Sequence, residues 1–243
     1  MGVLEHSLNA YSRNLKLMLF FSLPALLAVL IPLASPLPTF VAVGGAYLRT
    51  SSMPDLTSFD IAVMGIAFLV SLLLISFATA AICIVVRSQR TLTHIRREVI
   101  IGIEKYVLNI FWLFLTAELL YIIVGLVAYD WQVQSWLNPL ATLLVSCFLV
   151  YAPAALVIDD MRPLRAIEAS FNAVRKRPEL FLLWIVIAVV SLSLVEFIGL
   201  SLSGLVSHKV AQLGVLVINS LFIFPFLVVL QTQIYMAKYP LAR

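Results

Sequence analysis

The sequence predicts an all-α membrane protein with six transmembrane helices, and three observations lead to that fold class. Of 243 residues, 63% are hydrophobic and only 12% charged, and the mean hydropathy is +1.07; an ordinary soluble domain carries about 25% charged residues. Six apolar stretches are each long enough to cross a bilayer core, which takes about 20 residues of helix. The basic residues collect in alternate connections between those stretches. A soluble globule of this composition would lack polar side chains to cover its surface. Disordered, collagen-like and disulfide-scaffold classes are excluded, and a water-soluble enzyme is disfavoured.

The spans fall at roughly 15–33, 61–86, 107–128, 139–158, 180–200 and 213–236. None alternates polar and apolar residues over ten positions as an outer-membrane strand does. A helix pairs every backbone polar group within its own segment, which lipid demands. The first run follows Arg13 and Lys16 and so resembles a secretory signal. Pro36 and Pro38, however, crowd any cleavage point after Leu33-Ala34-Ser35, and the run reads as a retained helix. Pro24, Pro153 and Pro225 sit inside spans, where each removes a backbone hydrogen bond and is expected to kink its helix.

Fourteen of the sixteen Lys and Arg residues lie on the side that holds the N-terminus. They are Arg13, Lys16, Arg87, Arg90, Arg96, Arg97, Lys105, Arg162, Arg165, Arg175, Lys176, Arg177, Lys238 and Arg243; only Arg49 and Lys209 fall opposite. The positive-inside rule then places both termini in the cytoplasm and the chain in the cell membrane as a multi-pass protein. The net charge of +4 follows from the same excess. Trp131 and Trp136, in a short loop on the other side, suit an aromatic belt. The longer loop at 34–60, with Phe40, Tyr47 and Leu48, is expected to dip back towards the interface.

The connections on the basic side carry helical periodicity. Leu164, Ile167, Phe171 and Val174 form one stripe, with Arg165, Glu168, Asn172 and Lys176 opposite. Asp159 and Asp160 supply an expected N-cap, Pro163 suits a first turn, and Pro178 ends the helix. The stripe recurs as Leu92, Ile95, Val99, Ile103 and Tyr106, and as Leu4, Leu8, Tyr11 and Leu15. Glu5-His6-Ser7-Leu8-Asn9-Ala10 aligns without gaps to Glu168-Ala169-Ser170-Phe171-Asn172-Ala173, and a shift of 72 pairs Trp112 with Trp184. The expectation is a single membrane domain, 1–243, built from three repeats of an amphipathic interfacial helix plus a transmembrane hairpin: about 1–86, 87–158 and 159–243. Even numbers of spans in each unit keep all three in one orientation, unlike inverted repeats.

The run Asp159-Asp160, Pro163, Ala166-Ile167, Ser170 and the basic residues before Leu180, with Ser7 to Leu15 as Ser-Leu-x-x-Tyr-x-x-Asn-Leu, resembles the membrane domain associated with glycerophosphodiester phosphodiesterases. Related stand-alone prokaryotic membrane proteins of unknown function share it. In the fused enzymes a separate soluble barrel performs the hydrolysis. The resemblance therefore implies a membrane module and no catalytic residues.

Glu118 and Glu196 are the acids well inside spans. An intramembrane carboxylate is costly and by default a functional suspect. It would carry a proton or cation, or, alternatively, lock helices together through Tyr121, Asn219 or nearby serines. Ser191, Ser193, Gly199, Ser201, Ser203 and Gly204 suit close helix packing. His6, His94 and His208 lie in separate segments, too dispersed for a metal site, and no nucleotide or hydrolase motif is present. Cys83 and Cys147 read as buried free thiols. No cofactor, metal or nucleic acid is expected. Two functional readings follow. In the first, a non-enzymatic module binds anionic lipid headgroups or a protein partner through its amphipathic helices, using Arg162, Arg165, Arg175, Lys176, Arg177, Arg96 and Arg97; a homo-oligomer stays open. In the second, a small transporter or transporter subunit uses Glu118 and Glu196.

Overall fold

The computed structural model describes residues 2–34, 57–91, 95–204 and 207–237. Every described element is helical. Residues 35–56 of the 34–60 loop, His94, Lys238 and Arg243, and the side chains of Arg90, Leu92, Ile95, Arg96, Arg97, His208 and Lys209, lie outside the described residues or side chains.

Helix α1 (Val3–Arg13) meets α2 (Leu15–Ala34) at a bend of 87°. Asn14 makes the corner with a non-helical backbone, φ −122° and ψ 26°, while its amide donates back to Ala10 O at 3.4 Å. Asn bonds its own neighbouring backbone and so tolerates such corners. α3 (Ser58–Thr91) and α4 (Ile95–Asp130) follow. The expected surface helix around 92–106 is not a separate element: α4 runs unbroken for 36 residues. No proline interrupts that stretch, and Val99, Tyr106, Ile110 and Leu113 line one buried face across the boundary.

The next expected span is broken. α5 (Gln134–Leu149) stops, Val150 and Tyr151 form a turn, and α6 (Ala152–Ile158) restarts. α7 (Pro163–Lys176) and α8 (Pro178–Leu202) are separated by Arg177, and both start on proline, which is pre-organised for the first helical turn. The last span is α9 (His208–Ile218), a π turn (Asn219–Ile223) and α10 (Phe224–Met236). The two interruptions precede Pro153 and Pro225. The first span stays helical through Pro24.

Ala62–Gln89, Glu98–Asp130, Gln134–Ile158, Pro178–Leu202 and Val210–Met236 are long and apolar enough to cross a membrane, and the bent pair α1 and α2 makes a sixth if it counts as one span. The core sits where α3, α6 and α10 pack on one another. It contains Ala80 to Val86, Ala152 to Val157 and Val228 to Met236. Alanines at 78, 80, 81, 152, 154 and 155 are each at most 3% exposed, and small side chains let helix backbones approach closely. α4 and α8 flank this core, to which they add Tyr106, Ile110 and Leu113, and Phe181. They expose Leu119, Leu120 and Ile123, and Leu194, Phe197 and Leu200.

Candidate functional site

The densest polar cluster forms where α6 hands over to α7. Asp159 closes α6, and Asp160 adopts a left-handed backbone with φ 52°, a region that Asp and Asn visit more readily than other side chains. That turn sends the neighbouring carboxylates to different helices. Asp159 Oδ2 accepts a hydrogen bond from the Tyr235 hydroxyl of α10 at 2.5 Å. Asp160 Oδ1 accepts from the Tyr106 hydroxyl at 3.0 Å, and its Oδ2 from Lys105 Nζ at 2.5 Å, both on α4. Arg87, near the end of α3, donates through Nη1 to Val157 O at 2.7 Å and to the Tyr106 hydroxyl at 3.3 Å. The end of α6 and the turn that follows it thus tie α3, α4 and α10 together. The hydrogen bonds from Lys105 and then Tyr106 hold the Asp160 carboxyl below its ordinary value.

This overturns the expected capping role of the acid pair. Arg162, not an aspartate, occupies the N-cap of α7, and no side chain caps the helix. Two acids beside a proline fit a capping pattern locally. Across the fold, Lys105, Tyr106 and Tyr235 compete for them, and Lys105 adds a full opposite charge that a capping N–H lacks.

The apolar stripes of the surface helices are divided between the core, on which Val174, Ile167 and Tyr11 pack, and the outer flank. On α7 the buried residues are Ala166, Ser170 and Val174, whereas Leu164 is 82% exposed. Phe171 is half-exposed and stacks on Phe148 at 4.7 Å. On α1 only Ser7 is fully buried, and Leu4 and Leu8 stand outside. Small residues on this face permit close approach, and Leu164, Phe171, Leu4 and Leu8 are left on the outer flank. Ser170 Oγ, wholly buried, accepts the Tyr151 backbone N–H at 3.0 Å. Ser7 and Ser170 are the residues that the gapless alignment pairs.

Arg162, Arg165, Arg175, Lys176 and Arg177 are all exposed. They form two groups at opposite ends of α7, about 20 Å apart at 1.5 Å per residue. Arg175 and Lys176 in the last turn complement the helix dipole, and Arg177 Nη1 donates to Ala237 O at 3.4 Å. Arg96 and Arg97 stand in the first turn of α4.

Glu118 is half-buried on α4 and Glu196 exposed on α8. α4 packs against α3, α5, α6 and α7, and α8 against α7, α9, α10 and the π turn, without extended packing of α4 on α8, so the two carboxylates stand on helices that do not face each other closely. The side-chain carbonyl of Asn219 is buried without a partner among the described residues. Cys83 and Cys147 are free thiols, Cys83 packed 3.4 Å from Thr232 Oγ1. Among the described residues no three His, Cys, Asp or Glu side chains gather to hold a metal. Sequence reasoning missed Tyr235 and the buried Gln231 and Gln233 of α10. The available signal was a polar run in the final turns of an otherwise apolar span. No family model, curated protein or solved structure matches the chain.

Proposed function

We propose that the chain is a non-enzymatic, multi-pass membrane module of the cell membrane, with both termini cytoplasmic, that binds anionic lipid headgroups through α1 and α7. The observation that carries this reading is the 87° bend between α1 and α2. If α2 crosses the bilayer, α1 lies along its surface, with Leu4 and Leu8 exposed on its flank. α7 repeats the arrangement with Leu164 and Phe171 outward and Arg162, Arg165, Arg175, Lys176 and Arg177 beside them. Apolar residues flanked by exposed cations are what an interfacial helix needs to insert among anionic headgroups. The shared burial of Ser7 and Ser170 and the mutual packing of α3, α6 and α10 support the three-unit organisation. The middle unit differs in fusing its surface helix into α4. The resemblance to the membrane domain of glycerophosphodiester phosphodiesterases supports the same reading. The separation of Glu118 from Glu196 favours it over ion-coupled transport.

A basic residue near an anionic leaflet contributes about 1 kcal/mol, so neutralising the α7 cations together should weaken lipid retention at least about tenfold. Phosphatidylglycerol retention by native mass spectrometry, compared between the wild type and the combined Arg162→Gln, Arg165→Gln, Arg175→Gln, Lys176→Gln, Arg177→Gln variant, tests this. Equal retention would leave these cations as topology signals only and reject the lipid role.

A further inference from the structure

We infer that α1 and α7 are latches on the two broken helices, α9–α10 and α5–α6, each holding a bend through a side-chain hydroxyl. The inference deepens the reading of α1 and α7 as surface helices, and rests on it for their place at the membrane surface.

A proline in a helix has no N–H for the carbonyl four residues earlier, and its ring pushes against that carbonyl. In an apolar surrounding the freed groups need new partners, and neighbouring helices commonly supply them through hydroxyls. Ahead of Pro225 the freed carbonyl belongs to Leu221. The backbone there is a π turn in which the Phe224 N–H reaches back to Asn219 O. The Ser22 hydroxyl of α2, which donates to Leu19 O at 2.9 Å, also lies 3.4 Å from Leu221 O. Tyr11 of α1 donates to Phe222 O at 3.3 Å, its ring set edge-on against Phe226 at 5.7 Å. Ahead of Pro153 the break exposes the Tyr151 N–H, and Ser170 of α7 accepts it. Pro153 and Pro225 are 72 residues apart, the spacing of the internal repeat. Two surface helices with different side chains therefore serve the broken turn of two corresponding spans.

The segment beyond the Pro153 break is lightly held. α5 packs along α4 and against α6 and α7, without extended packing on α8 or α9. Leu140, Leu143 and Leu144 of α5 and Leu213 of α9 are exposed. α5 is thus supported on one side only, and the turn at Val150 and Tyr151 sets its direction. Loss of the Ser170 bond frees that turn, whereas loss of the Tyr11 bond frees the π turn.

Hydrogen–deuterium exchange in nanodiscs of phosphatidylcholine, with and without phosphatidylglycerol, tests the latches on the full chain. Spin-label distances between Leu143→Cys and Leu213→Cys, in a Cys83→Ala, Cys147→Ser background, report the α5–α9 separation. Ser170→Ala should speed exchange across 150–156 by about tenfold, broaden the 143–213 distance distribution and leave 219–226 unchanged. Tyr11→Phe should speed exchange at 219–226 and leave 150–156 unchanged. If neither variant alters its own break, the inference is overturned. If Ser170→Ala loosens the whole chain, Tyr11→Phe decides, because its ring packing survives. If wild-type exchange is the same in both lipids while each variant loosens its own break, the latches stand and the anionic-lipid reading fails.

Discussion

Replacing Tyr235 with phenylalanine deletes one oxygen from a side chain that is 2% exposed. That hydroxyl lies 2.5 Å from Asp159 Oδ2, the short end of the range for a hydroxyl donating to a carboxylate. Hydrogen bonds to charged groups contribute about 1.5–3 kcal/mol. The ring packing against Tyr151, centroids 6.4 Å apart, is retained by Phe. Asp159 is only partly buried, so water recovers some of its solvation once the phenol is gone. The expected loss is therefore in the lower half of the range, about 1.5–2 kcal/mol. Asp159→Asn should cost a similar amount, and the double variant much less than the sum, with a coupling of about 1 kcal/mol or more. Reversible unfolding in mixed micelles, titrated with a denaturing detergent, measures all four proteins of the cycle. A coupling within about 0.3 kcal/mol of zero would refute the claim that Asp159 ties α10 to the α6–α7 turn.

Acid titration should reveal the partner carboxylate. Asp160 is held below its ordinary value, so its contribution to stability is present above the unfolded pKa and is lost as pH falls through the lower, folded one. Wild-type stability should decline below about pH 4 with a slope that Asp160→Asn makes shallower; identical acid limbs would contradict the Lys105–Asp160–Tyr106 arrangement. The two buried-side glycines should respond differently to alanine. A Cβ at Gly199 would overlap the Val215 side chain between α8 and α9. Valine is confined to essentially one rotamer in a helix, so Gly199→Ala should cost about 1–3 kcal/mol. At Gly102 the new Cβ would meet Ile84 Cδ1 at 2.7 Å, the mobile end of its side chain, and Gly102→Ala should be close to neutral. Equal losses in the detergent titration would show that rotamer freedom does not separate the two sites.

Much of the architecture was legible because it rests on local properties. An apolar run needs about 20 residues to cross a bilayer whatever surrounds it, and expected spans at 15–33, 61–86 and 180–200 have their counterparts in α2, α3 and α8. The amphipathic character of 164–174 and 4–15 was equally plain. The side turned inward was not, because large apolar stripes point to the core in a soluble protein, whereas lipid also accepts them. Here Ala166, Ser170 and Ser7 won the interior by being small. The acid pair was read as a cap for the same reason: the sequence shows its neighbours along the chain, and Tyr235 is 76 positions from Asp159.

By itself the sequence determined the helical class, the apolar stretches long enough to span a membrane, the segregation of basic residues and the three span prolines, at two of which a helix is interrupted. These follow from solvation and backbone chemistry, which act residue by residue. Tertiary structure alone decided which hydroxyls repair those breaks, that Glu118 and Glu196 stand apart, and that one left-handed aspartate distributes two carboxylates among α4 and α10. Those outcomes depend on which helices become neighbours. Periodicity along one chain carries the identity of a face, but the partner on that face is set by close packing between segments distant in sequence.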